Sequence, residues 1–485
     1  MRAAGEHPPP SVRSSHWPNN MLDANECIRT GLLLSFGFLL IFTAYNATEV
    51  LETSIIPSHC EGCVSGPATG MCQWEGVCQE KTQFSCDVVC AAPFNECKSR
   101  LGNVVLGTNY FTFMAASIAG PLIPYHFGEK WTMAGSSIFY GFFALANLVV
   151  ASNPTDVPLQ WGVMMPMSVI SGTSAAFLWI CQASYLTHLS VIYSKLNGMP
   201  KVASVGYFNG LFFSIYRVSS ITGNAISSIV LGYLAWSTST LFVIYATISF
   251  LGASLLFFVP TLPPLVAEEE LELLKEHQPI IVPDMPQSTM QALFSLALDR
   301  RMLLLAPAMI LNGIQQGFMT GEFTSNIIRE SLGSPSIGTV FVLVGFTAVY
   351  SSYAFGKLAD RYGPLWGQLV CFAVLLGAYI LSYLAPVTKC DGQWGLNLLL
   401  AVLIGMGDAS SLTLVNVVLG QEFPTDSVNA FSIFRVYHAG GSSFSFLFFP
   451  SLSFHGRLIF LIASVVVSAV TFLWYYLRYR AVAQH

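Results

Sequence analysis

The chain has 485 residues, of which 53% are hydrophobic and 10% are charged, and its formal net charge is −5. Soluble domains of ordinary composition carry roughly 25% charged residues. The composition therefore excludes a soluble protein of this length and favours one that lies in a lipid bilayer. Nothing in the charge indicates a nucleic-acid partner, and we expect none.

Apolar runs recur along the chain at the length that a helix needs to cross a bilayer, which is about 20 residues. The twelve candidate segments are 29–56, 101–125, 131–151, 159–187, 204–234, 239–260, 302–328, 335–356, 365–386, 394–418, 428–450 and 456–478. The sequence thus predicts an all-α polytopic membrane protein with twelve transmembrane helices.

The Lys and Arg residues predict the orientation, because cytoplasmic connections carry an excess of them. With the N-terminus in the cytoplasm, 13 of the 21 fall inside, 6 fall outside, and Arg217 and Arg435 lie within spans. We therefore expect a cytoplasmic tail at 1–28 and another at 479–485. A cleavable signal peptide is not expected, since the first 28 residues are polar and the first apolar run is too long.

A Cys-rich insertion at 57–100 separates the first two spans and is expected outside the cytoplasm. Its seven cysteines are Cys60, Cys63, Cys72, Cys78, Cys86, Cys90 and Cys97. An oxidising compartment favours disulfides among them. A zinc site that starts from Cys60-x-x-Cys63 is the alternative. The odd number leaves one thiol free or paired elsewhere.

The longest cytoplasmic connection is predicted at 261–300. Its acidic stretch 267–276 has the pattern of a short amphipathic helix, a solvated linker between two halves of the protein. Glu269 followed by Leu273 and Leu274 also fits an acidic dileucine sorting signal, which would take the protein to endosomes. Without that signal we expect the plasma membrane.

An internal repeat divides the spans into two sets of six, 29–260 and 301–478. The sequence FSIYRV at 213–218 recurs as FSIFRV at 431–436, and each copy carries the Arg of its span. Related halves are typical of transporter folds, in which the functional site lies at the interface of the repeats.

The stretch GKLADRYG at 356–363 resembles the loop after the second helix of each half in major facilitator transporters. Gly356, Asp360, Arg361 and Gly363 are accordingly candidates for a cytoplasmic latch. The alternative is a tight charged turn between any two membrane helices. The corresponding stretch of the first half, 120–128, has Pro124 near the place of the aspartate, so we expect the latch in the second half only.

Charged side chains inside membrane spans are rare and face a bundle interior or a watery cavity. Asp408 and Arg435 are predicted at similar depth on adjacent spans, and we expect them to form an ion pair. Arg217 is then available for a ligand, for backbone carbonyls or for Gln182. Alternatively, these charges only hold helices together.

Several stretches, in order along the membrane region, resemble uncoordinated-93 (Unc-93-like) proteins, and the A-type members in particular. They are SFGFLLIFTAY at 35–45, LWICQASYLT at 178–187, GIQQGFMTGEFT at 313–324, GDA at 407–409 and NAFSIFR at 429–435. The resemblance implies the major facilitator fold with no enzymatic activity, no cofactor and no bound metal. It also implies regulation of potassium channels or ion homeostasis, with a channel as partner.

Two other functions remain open. One is transport of a small solute by alternating access, in which Arg217 and Arg435 would favour an anionic group and Glu49 or Glu322 would carry a proton. The other is a trafficking chaperone for membrane receptors. The candidate cavity residues are thus Glu49, Gln182, Arg217, Glu322, Asp408 and Arg435.

Overall fold

The computed structural model describes residues 23–55, 63–64, 71–72, 84–85, 101–119, 127–153, 156–198, 201–262, 291, 293–387, 392–423 and 427–480. Twelve long helices lie within these residues, one at each segment that the hydrophobic pattern predicts. The six of the first half are α1 (Ala24–Ile55), α2 (Leu101–Ala119), α3 (Glu129–Ser152), α4 (Val157–Asn197), α5 (Lys201–Ser227) and α6 (Thr238–Phe258).

The six of the second half are α7 (Arg300–Gly317), α8 (Ser336–Tyr362), α9 (Pro364–Leu384), α10 (Trp394–Glu422), α11 (Ser427–Phe448) and α12 (Phe454–Tyr475). Three of the helices continue in π-helical geometry, α5 over Ser228–Tyr233, α7 over Phe318–Ile328 and α12 over Tyr476–Arg480. After the π-helical segment of α7, an α-helical turn follows at Arg329–Leu332.

Nine of the helices carry, within the described residues, an apolar stretch long enough for a bilayer. The three that fall short are α2, α5 and α11. These pack between the halves, α2 against α11 and α5 against α8, so much of their surface faces protein and not lipid.

Local sequence sets several helix ends. The α1 helix begins at Ala24, five residues before the predicted start, because Asp23 and Glu26 form a reciprocal capping box, each accepting a hydrogen bond from the other's backbone N–H, at 2.7 and 2.9 Å. Asp299 caps α7 by accepting from Arg301 N at 2.7 Å. The Arg301 guanidinium beside it lowers the pKa of the Asp299 carboxyl.

The stretch 356–363 differs from its predicted form, a turn. The α8 helix continues through it to Tyr362, and only Gly363, with φ of 80°, separates α8 from α9. Glycine adopts this backbone angle without the steric cost that a side chain adds. The Arg361 guanidinium lies 5.3 Å from the centroid of the Tyr362 ring. The side chain of Asp360 lies outside what the structure describes.

Within the Cys-rich insertion the structure describes three two-residue strands, Cys63–Val64, Met71–Cys72 and Phe84–Ser85. They pair antiparallel in the order β1-β2-β3, with Cys63 opposite Cys72. For these two cysteines only the backbone is described. Cys60, Cys78, Cys86, Cys90 and Cys97 lie outside the described residues, as do Glu269, Leu273 and Leu274. The disulfides and the sorting signal therefore stay predictions.

The halves meet along a surface that we call the seam, between described residues 23–262 and 291–480. The end of the bundle at which α1 ends and α2 begins is called the insertion side, and the end at which α6 ends and α7 begins is called the linker side. The largest buried apolar cluster crosses the seam, with Leu51 of α1 on one side and Phe318 and Phe341 of the second half on the other.

Candidate functional site

A cavity of about 180 Å³ lies at the seam, and we call it the central cavity. Helices α1 and α5 of the first half and α7, α8 and α10 of the second half line it. Its charged lining residues are Glu49, Arg217 and Asp408. Asp408 lies 14 residues from either end of α10, about 21 Å at 1.5 Å per residue. The cavity is therefore near the middle of the helices.

Arg217 and Asp408 belong to opposite halves and carry opposite charges. Both line the central cavity, and Arg217 is the cation that acts electrostatically on the Asp408 carboxylate. Each is partly exposed to the cavity. An attraction between charges at this depth is screened less than one in water. The pair therefore favours an arrangement in which the halves are close at mid-membrane.

Arg435 does not pair with Asp408, so that predicted ion pair is wrong. Its guanidinium lies 5.0 Å from the centroid of the Trp179 ring on α4, in the opposite half. The rings of Phe42, Tyr216 and Trp179 are 5.1 to 5.2 Å apart and form an aromatic cluster around this contact. A cation over an aromatic face, desolvated, is stabilised by roughly 2 kcal/mol.

Each arginine of the repeated motif has a residue of the opposite half as its neighbour. Arg217 of α5 lines the central cavity together with Asp408 of α10. Arg435 of α11 lies over the ring of Trp179 of α4. The role of Trp179 was not predicted, since a sequence search for a cation's partner considers carboxylates first.

Glu49 is a buried carboxylate in the cavity wall, 4% exposed. Tyr110 of α2 donates a hydrogen bond to Glu49 Oε1. Gln316 of α7 donates to the same oxygen at 3.3 Å, from across the seam. Neither donor was predicted, although Gln316 lies within the stretch 313–324 that carries the family resemblance.

Glu322 and Gln182, two further candidates, lie outside the lining of the cavity. Glu322 forms an ion pair with Arg457 of α12 and accepts a hydrogen bond from Asn326 Nδ2 at 2.6 Å. Arg457 also donates to the Leu452 carbonyl at 3.0 Å. Glu322 is therefore held within the second half. Gln182 is 2% exposed in the core of the first half.

We consider the hydrogen bonds whose two partners are both described residues. Those that join the halves lie at the central cavity or on its insertion side. Thr53 and Thr324 stand 3.2 Å apart, and Ser228 and Thr339 stand 2.6 Å apart. Ser443 donates to the Gly107 carbonyl at 2.8 Å. On the linker side of the cavity, Val349 lines it and is 39% exposed. The seam is thus closed on the insertion side.

Described residues contain no group of three or more His, Cys, Asp or Glu side chains placed to hold a metal ion. The thiols of Cys27, Cys181 and Cys371 are buried. The charged lining of the central cavity offers a place where a charged group can be recognised between the two halves.

Comparison with known proteins identifies the family. The sequence profile described as "Ion channel regulatory protein UNC-93" matches residues 94–473. The chain is 28% identical to protein unc-93 homolog A of Bos taurus over 86% of each chain. It is 24% identical to UNC93-like protein 3 of Arabidopsis thaliana over 88% of this chain and 81% of the relative. It is 22% identical to "Putative potassium channel regulatory protein unc-93" of Caenorhabditis elegans over 79% of this chain and 51% of the relative.

Solved structures show the same fold. The D-xylose-proton symporter aligns with a TM-score of 0.62 at 12% identity, over 93% of this chain and 97% of its own. The nucleoside transporter NupG aligns with a TM-score of 0.59 at 14% identity, over 93% of this chain and 100% of its own. At this identity the likeness shows the fold alone, and that fold is the one of major facilitator transporters.

Proposed function

The chain belongs to the UNC-93 family of ion channel regulatory proteins, and from that membership we propose that it regulates potassium flux across its membrane. The family match over most of the chain is the observation that carries this proposal. The relative in Caenorhabditis elegans, whose name refers to potassium channel regulation, supports it further. The role is a non-enzymatic one, in which a potassium channel is the partner.

The geometry supports a regulator that works by switching between two conformations. The halves are joined on the insertion side by packing and by a few hydrogen bonds. Interhelical hydrogen bonds in membranes contribute about 0.6 kcal/mol each, so the seam can open at modest cost. A ligand in the central cavity contacts both halves and therefore shifts the balance between the two conformations. The channel would respond to that balance.

A second candidate is transport of a small charged solute by alternating access, and the charges of the central cavity favour it. In this role Glu49 or Asp408 would carry a coupled proton, since both line the cavity. Glu322 is a weaker candidate for that task, because Arg457 and Asn326 already engage its carboxylate. The same conformational switch serves both functions.

For either role we propose the plasma membrane, with both termini and the linker side in the cytoplasm. The excess of Lys and Arg on that side supports the orientation. Protease protection of tags placed at each terminus tests it.

One pair of measurements separates the two functions. Potassium currents are recorded from cells that express each member of a panel of potassium channels, with and without this chain. Uptake is measured in proteoliposomes that contain only the purified chain. Regulation predicts a changed current, which Arg217→Gln restores to the level without the chain while both proteins stay at the surface. Transport predicts saturable uptake that Arg217→Gln and Asp408→Asn abolish. An unchanged current with every channel contradicts regulation.

A further inference from the structure

The charges around the central cavity do not cancel. Its described lining contains two carboxylates, Glu49 and Asp408, and one guanidinium, Arg217. We propose that the central cavity binds a singly charged cation, with the Glu49 carboxylate as its counter-charge. The proposal rests on the proposed function, because it names the ligand of the cavity that would drive the switch.

Asp408 and Arg217 together add no net charge to the lining, so Glu49 gives the lining its net negative charge. Arg217 is the cation that acts on Asp408. The described partners of Glu49 are a phenol and an amide, which carry no charge. A buried carboxylate without a counter-charge costs several kcal/mol. A cation in the cavity removes that cost.

The Glu49 carboxylate has an oxygen to offer. Tyr110 and Gln316 both donate to Oε1, and no described side chain donates to Oε2. The residue is 4% exposed, and it lines the cavity. An ionised carboxylate has acceptor sites on both oxygens. Oε2 is thus a carboxylate oxygen with no donor among the described side chains, on a residue that lines the cavity.

Neutral oxygens surround this carboxylate. Asn46, Ser219, Ser220 and Thr320 line the cavity beside it. Asn46 Nδ2 donates to Ser219 Oγ at 3.0 Å. Carboxylate, amide and hydroxyl oxygens are the ligands of hard cations, and they also accept the three hydrogens of an ammonium group.

The same geometry argues against an anionic ligand. That expectation rested on two arginines, but the cavity holds Arg217 only. Arg435 lies over Trp179 and is not part of the lining. An anion beside Arg217 would share the cavity with the carboxylates of Asp408 and Glu49. Repulsion between like charges at this depth makes that arrangement unfavourable.

The cavity of about 180 Å³ is larger than a bare ion needs. A single water requires about 10–15 Å³, so a metal cation fits with part of its hydration shell, and a small protonated amine also fits. Both share one positive charge and a demand for oxygen acceptors. Potassium, sodium and methylammonium are therefore the probes.

The test is the thermal stability of the purified full chain in detergent, because a ligand that binds only the folded state raises Tm. Potassium, sodium or methylammonium chloride is titrated against N-methylglucamine chloride, a bulkier cation, at constant ionic strength. We expect a saturable rise in Tm with at least one of the small cations. The cation that saturates at the lowest concentration distinguishes an inorganic ion from an amine.

Variants locate the site. Glu49→Gln should abolish the rise in Tm. Glu52→Gln is the matched control, since Glu52 is buried on the same helix, 1% exposed, and does not line the cavity. If Glu49→Gln does not fold, Ser220→Ala tests the location of the cation site instead. The loss of one hydroxyl ligand should weaken the apparent affinity for the cation about threefold or more.

Three results would overturn the proposal. They are no rise in Tm with any small cation, a rise that Glu49→Gln or the folded Ser220→Ala leaves unchanged, and a rise that follows the anion and disappears in Arg217→Gln. The assay involves neither a channel nor solute flux. A cation that binds at Glu49 without any effect on current or uptake would reject the proposed function and leave the cation site standing.

Discussion

The partners of the two embedded arginines show how far single residues can be predicted. Depth in the membrane follows from counting along a helix, and by depth Asp408 and Arg435 match. Depth does not specify the side of the helix on which a residue lies, nor the half that it faces. In the structure each arginine interacts with the opposite half, Arg217 with Asp408 and Arg435 with Trp179. The repeat predicted equivalent arginines, but not that they cross the seam.

Double-mutant cycles test these contacts. Arg435→Gln and Trp179→Leu are made singly and together, and the free energy of unfolding is measured in mixed micelles. Because the guanidinium lies over the indole ring, we expect a coupling of about 1 kcal/mol. The matched cycle combines Arg435→Gln with Asp408→Asn, and its losses should add within about 0.5 kcal/mol. Coupling in the second cycle and additivity in the first would restore the ion pair predicted from the sequence.

At the scale of helices and strands, hydrophobic runs predicted where each of the twelve long helices of the described residues lies. The structure differs from the prediction mainly at the helix ends. The α1 helix starts early at a capping box, and α8 runs through the glycine-bounded stretch to Tyr362. The π-helical geometry of Phe318–Ile328 has no counterpart in hydropathy, because it depends on the packing of that segment against α1 and the rest of the second half. Such segments occur often at functional sites.

Close packing of α8 against α5 is a second feature that hydropathy does not reveal. A Cβ at Gly338 would lie 2.3 Å from Ser227 Oγ and 2.7 Å from the Asn224 carbonyl oxygen, both on α5. Contacts below 3.0 Å force one helix to move, and overpacking of this kind costs typically 1–3 kcal/mol. Because Gly338 lies on the insertion side, the displacement would loosen the closed part of the seam.

Gly338→Ala should therefore lower the free energy of unfolding by about 1–3 kcal/mol. It should also increase hydrogen–deuterium exchange in the insertion-side ends of α5 and α8. Gly377→Ala on α9 is the control, since a Cβ there meets nothing within 4 Å. If the two variants have equal stability and equal exchange, the close packing of α5 against α8 does not keep the insertion side closed.

For the whole molecule, the sequence predicted two halves and a site between them, and the structure adds which side is closed. Thr53 with Thr324, Ser228 with Thr339 and Ser443 with Gly107 join the halves on the insertion side. Pairings between distant segments cannot be derived from one chain's composition or periodicity. The function proposed requires a second arrangement of the halves, in which the insertion side is open.

A reversible cross-link tests whether function requires both conformations. The side-chain oxygens of Thr53 and Thr324 lie 3.2 Å apart across the seam, so thiols in their place are close enough to be tested for disulfide formation. Oxidation of the double variant Thr53→Cys with Thr324→Cys would lock the insertion side. Because a locked bundle cannot change conformation, the effect on potassium current, or the solute uptake, should be lost and should return on reduction.

The cation-dependent rise in Tm should persist in the oxidised double variant, because neither threonine is part of the lining of the central cavity. Each single variant, treated with the same oxidant, controls for the native cysteines of the insertion. If the cross-link is complete by mass spectrometry and current or uptake is still unchanged from the wild type, the insertion side does not need to open. The chain would then act as a rigid binding partner, and the two-conformation account of its function would be wrong.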